Sequence, residues 1–134
     1  MKAEVIRDVG GPVVYTDVDA RFRSRPIALD ELDCDFAAHW RNGQELLSGT
    51  LYIGGGAAAA ELVDLWILEN ESNPNRWDQK NLQAVLGREP SRWRTVDLPS
   101  AYCKIFDTMH GEPVIEHFQA SRRLRKVVNA RHHP

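Results

Sequence analysis

The chain has only two cysteines, Cys34 and Cys103, in 134 residues, and their spacing fits neither a disulfide framework nor a zinc site. Both are expected to be reduced packing residues, which points to a reducing, cytoplasmic setting. No run approaches the ~20 apolar residues that cross a bilayer. Arg7 and Asp8 interrupt the N-terminal apolar residues, so neither a membrane span nor a targeting segment is expected. An excess of either sign of charge is lacking too: the formal net charge is -2, which argues against general affinity for nucleic acid. Glycine is present, but no Gly-x-Gly-x-x-Gly or P-loop pattern occurs, and Gly54-Gly55-Gly56 lacks the lysine that a P-loop requires. What remains is an ordinary soluble composition, 43% hydrophobic and 27% charged, expected to form one compact domain over residues 1–134. A domain of this size buries roughly two-thirds of the surface of its unfolded chain and needs neither disulfide nor structural metal to fold.

The pattern along the chain predicts a mixed α/β sheet with flanking helices. Lys2 to Val9 has helical composition and stops at Gly10-Gly11-Pro12. Val13-Val14-Tyr15-Thr16 is a β-branched and aromatic run that reads as a short strand, and it ends directly in Asp17-Val18-Asp19. The acidic stretch from Asp30 to Asp35 reads as a loop or helical turn, and Phe36 to Trp40 as a second strand. Asn42-Gly43 is a turn dipeptide, with a third extended segment from Leu46 to Ile53. Gly54-Gly55-Gly56 leads into a buried helix over 58–68. A loop over 70–75 precedes a second helix from Trp77 to Leu86, ending at Gly87. Arg94 to Leu98, Ala101 to Phe106 and Pro113 to Phe118 read as further extended segments. Residues 118–134 hold five basic side chains (Arg122, Arg123, Arg125, Lys126, Arg131) and no acidic one, a solvated tail or a phosphate-binding segment.

The acidic triplet is the most informative local feature. Alternate side chains of an extended segment share a face, so Asp17 and Asp19 are expected to reach one hard cation together. Open α/β sheets also bind ligands at the carboxyl ends of their strands, where this triplet falls. Each such residue has a plain structural alternative. The two aspartates terminate a strand, His117 is a satisfied core histidine, Ser48-Gly49 is a turn, and Asp78 opens a helix by complementing its dipole.

Taken in order, the motifs resemble the nucleotide-diphospho-sugar transferases, the GT-A glycosyltransferases, from about Pro12 to His117. Val13 to Asp19 is similar to that family's strand and DxD motif. Leu46-Leu47-Ser48-Gly49-Thr50-Leu51-Tyr52 resembles the segment that approaches the sugar. Trp77-Asp78-Gln79 resembles its Asp-Gln helix start, and Val114 to Phe118 the terminal strand whose histidine ligates metal. The resemblance implies Mn2+ or Mg2+ on Asp17, Asp19 and His117, with Asp78 and Gln79 as catalytic residues. It implies substrate contacts from Ser48, Gly49, Trp77 and Arg122. The glycine and Lys-Pro-Trp that follow the metal histidine in the glycogenin-like branch are replaced here by Ala120-Ser121-Arg122-Arg123.

The implied activity is transfer of a sugar from a nucleotide-diphosphate donor to an acceptor. The alternative is a noncatalytic domain that keeps the transferase scaffold for binding or assembly. Complete enzymes of this family carry roughly a hundred residues of βαβ structure before DxD. Sixteen stand there in this chain. The resemblance is therefore to a truncated form, the metal- and acceptor-facing half, with a homo-oligomer or a complementing chain as the expected partner.

Overall fold

The computed structural model describes residues 1–105 and 112–117. The basic segment 118–134, with Arg122, lies outside the described residues. Along the chain run α1 (Lys2–Val9), β1 (Val13–Thr16), β2 (Ala20–Phe22), α2 (Ile27–Asp30), β3 (Phe36–Arg41), β4 (Glu45–Ile53), α3 (Ala57–Ser72), α4 (Asp78–Arg88) and β5 (Thr95–Asp97). A 3-10 turn at Ser100–Cys103, β6 (Lys104–Ile105) and β7 (Ile115–His117) complete the described chain.

The strands form two sheets rather than one. The larger has the order β1-β4-β3-β5, antiparallel across its first three strands and parallel between β3 and β5. The smaller has the order β2-β7-β6, with β2 antiparallel and β6 parallel to β7. The expected mixed α/β class with flanking helices is what the chain adopts.

Strand periodicity divides the core into two. Phe36, Ala38, Leu51 and Ile53 face α1, α3 and α4, where they pack with Ile6, Leu62, Trp66, Leu82 and Val85. Ala37 and Tyr52, one residue out of phase, turn to the other face and meet Leu98, Tyr102 and Ile115. The larger sheet is thus covered by helices on one side, and by the smaller sheet with its connecting turns on the other.

The glycine run after β4 packs closely. A Cβ on Gly54 would run into the carbonyl of Cys34, and one on Gly11 into the carbonyl of Gly54. The two chain reversals that lead into β1 and α3 touch backbone to backbone there. α3 is longer than the sequence suggests and takes in Glu69 to Ser72, running past the expected end at Leu68 into the expected loop over 70–75. The reason is tertiary. The Glu69 carboxylate is paired with Arg76 at 2.5 Å and Arg88 at 2.7 Å, and Asn81 is buried beside it, donating to Asn70 Oδ1 at 2.8 Å. α4 likewise continues through Gly87 to Arg88. The segment expected to be extended from Ala101 begins as the 3-10 turn.

Candidate functional site

Asp17, Val18 and Asp19 form the link between the two sheets. They are not extended: the Ala20 amide donates to the Asp17 carbonyl at 3.0 Å, closing a turn with Val18 fully exposed at its tip. The carboxylates converge through this turn rather than through strand alternation, which corrects the expected geometry but not the outcome. β2 begins immediately afterwards and pairs Ala20 with His117 of β7. One short turn therefore sets the histidine of the second sheet beside the aspartates that end a strand of the first.

Asp17, Asp19 and His117 each place a ligand atom within 4.8 Å of the others, with both carboxylates half-buried and the imidazole buried. His117 Nε2 lies 2.9 Å from Thr50 Oγ1, so Nδ1 is the ring nitrogen left for a ligand. Burial pushes the His117 pKa below its ordinary value, outweighing the opposite pull of the Asp17 and Asp19 carboxylates. A neutral imidazole and two carboxylates form a donor set suited to Mn2+ or Mg2+, so the residues present fit such an ion.

The floor of the site is Gly49. The register between β3 and β4 slips after Ala38: Ala38 faces Leu51 while His39 faces Leu47, so Ser48, Gly49 and Thr50 have no direct counterparts in β3. Bulges of this kind re-aim side chains next to functional sites. A Cβ on Gly49 would lie 2.9 Å from His117 Cε1, 3.1 Å from Nδ1 and 3.3 Å from Asp17 Oδ2. The absent side chain is what admits the histidine and the aspartate together. The Asp17 amide in turn donates to the Gly49 carbonyl at 3.0 Å, fixing the start of the turn.

Of the other expected residues, Ser48, Gln79 and Asp78 lie beside this centre. Gln79, in the first turn of α4, accepts from the Ser48 amide at 3.0 Å and from the Ser48 hydroxyl at 3.2 Å. One turn along, Gln83 accepts from the Leu46 amide at 3.3 Å. The two glutamines dock α4 onto β4, and Gln79 positions Ser48. Asp78 leaves its carboxylate partly exposed and facing the site. Trp77 caps the helix with its side chain 64% exposed.

One participant escaped the sequence reading. Lys2, at the start of α1, reaches inward, with its ammonium 3.4 Å from Asp17 Oδ1, 3.9 Å from Asp78 Oδ2, and donating to the Ser48 carbonyl at 3.2 Å and hydroxyl at 3.1 Å. It also lies over the Tyr15 ring, 5.0 Å from the centroid. A lysine at the start of an amphipathic helix carries no local signal, and its role follows only from where α1 packs. Tyr15 is drawn in as well. Its pKa is pushed up to about 12, first by burial and then by the Asp17 carboxylate, to which it is hydrogen-bonded. Cys103 contacts Thr50 behind the site, and burial pushes its thiol up to about 11. Both cysteines are buried and free, as expected.

No protein-family model, curated protein or solved structure matches this chain. Among the described residues no helix is long and apolar enough to cross a membrane.

Proposed function

We propose that this chain carries the metal- and acceptor-facing site of a GT-A glycosyltransferase, transferring a sugar from a nucleotide-diphosphate donor to an acceptor hydroxyl. The observation that carries this reading is the meeting of Asp17 and Asp19, from the turn that joins the two sheets, with His117 of the smaller sheet, over a glycine that makes room for His117 and Asp17. Asp17, Asp19 and neutral His117 hold Mn2+ or Mg2+. The ion, when bound, supplies positive charge against the donor diphosphate. Lys2 contributes a second positive charge, already placed between Asp17 and Asp78. The sugar–oxygen bond to the diphosphate breaks as a bond forms from the anomeric carbon to the acceptor oxygen, and Asp78 takes the acceptor proton. Gln79 keeps Ser48 aimed at the site, and exposed Trp77 offers an apolar face to a sugar ring.

Calorimetry with Mn2+ and a panel of nucleotide-diphosphate sugars tests this. Binding of one donor only with metal present, lost in Asp19→Ala, is expected. Donor binding that ignores the metal, or no binding at all, overturns it. The Lys2 ammonium beside Asp17 also fits a second reading, a noncatalytic binding or assembly domain whose acidic site is neutralised internally. That reading expects a folded protein indifferent to chelators and free of transfer activity.

A further inference from the structure

The two edges of the larger sheet are built differently. β5 is flanked by Arg94 and Pro99 and ends in Asp97, the charged and proline-bearing pattern that discourages strand addition. β1 at the other edge is Val-Val-Tyr-Thr, with no charge, proline or bulge within it, and Val14 is 39% exposed. Apolar surface is concentrated in this part of the chain. Among the described residues, Met1, Val5, Val9, Val14 and Val18 are five of the ten exposed large hydrophobic side chains.

Hydrogen-bond parity shows what that edge offers. The Asp17 amide donates to Gly49 of β4, and pairing with β4 continues in register from Thr16↔Thr50 to Val13↔Ile53. In an antiparallel ladder every second residue points its amide and carbonyl at the same neighbour. Val13 and Tyr15 are therefore committed to β4, and the amides and carbonyls of Val14 and Thr16 point outward. Among the described residues no backbone group bonds to them.

We infer that the β1 edge is the interface with a second copy of this chain, in which β1 pairs antiparallel with its partner about a two-fold axis at Tyr15. That register sets Val14 opposite Thr16 of the other copy at both ends, and all the outward amides and carbonyls of the two strands are then paired. Charge selects this orientation. A parallel pairing would bring the Asp17 and Asp19 clusters of the two copies together, whereas the antiparallel one sends them to opposite ends of the ribbon. The larger sheet becomes one continuous eight-stranded sheet. This surface is independent of the transferase reading.

Sedimentation velocity on the full chain tests it. The expected result is a dimer that Val14→Lys converts to a monomer, while Thr95→Lys on the opposite edge leaves the dimer intact. Hydrogen exchange on the unmodified protein is the second readout: the Val14 and Thr16 amides are protected at dimer concentrations and exchange at least about tenfold faster on dilution. A monomeric chain, including one whose edge is covered by a different protein, overturns the inference. So does a dimer unaffected by Val14→Lys, or one in which those two amides exchange freely.

Discussion

Gly49→Ala is the sharpest probe of the site, because the perturbation is a single methyl group whose surroundings are known. The new Cβ would lie 2.9 Å from His117 Cε1, about half an ångström inside the 3.4 Å at which ordinary contact begins, so ring or strand must move. The ring has little freedom to do so, being buried, held by Thr50 at 2.9 Å and anchored in β7 between β2 and β6. Overpacking of this kind costs about 1–3 kcal/mol. At about 4 °C per kcal/mol for a chain of this length, Tm is expected to fall by about 4–12 °C. The same displacement moves Nδ1 and Asp17 Oδ2, the atoms offered to a cation, and Mn2+ affinity measured by electron paramagnetic resonance is expected to weaken by about 10–100-fold. Gly87→Ala is the control. Its Cβ meets nothing within 4 Å, and inside α4 it is expected to stabilise by about 0.4–1 kcal/mol. A Gly49→Ala protein with unchanged Tm and unchanged Mn2+ affinity would refute the account of Gly49 as the gap that His117 and Asp17 share.

Two further expectations concern the charges around that gap. Tyr15 keeps its proton in the folded state well above the ordinary value of 10.0, so its contribution to stability is present below pH 10 and is lost as pH rises towards about 12. The ultraviolet titration difference between the protein and Tyr15→Phe should have its midpoint near about 12, and a midpoint near 10.0 contradicts the burial and Asp17 contact described. Lys2→Met keeps an unbranched aliphatic side chain and removes the ammonium that lies over Tyr15. Donor affinity is expected to fall by about tenfold or more, while Mn2+ affinity does not weaken, because a cation competing for Asp17 has gone. A parallel loss of both would show that Lys2 acts only by holding the fold together.

Much of the chain could be read from local pattern. The turn residues Gly10-Gly11-Pro12 and Asn42-Gly43, and the apolar runs beside them, placed α1, β1, β3 and β4 close to their observed limits. These signals work because they act within a few residues. β2 escaped notice: Ala20-Arg21-Phe22 has no alternation of its own and becomes a strand only by pairing with β7, far along the chain. The end of α3 was hidden for a similar reason, since its last turn is held by arginines beyond the loop.

The sequence by itself determined which side chains are candidates for the proposed chemistry. Paired aspartates after a buried strand, a glycine inside an extended run, an acid and amide opening a helix, and a histidine in the last strand are all matters of residue type and order. The tertiary structure decided that they meet. A turn rather than an extended segment brings Asp17 towards Asp19, a bulge leaves Ser48, Gly49 and Thr50 without counterparts in β3, and a second sheet delivers His117. It also decided that Lys2 lies beside them, since a charge set by helix packing across the fold leaves no trace in the spacing of residues.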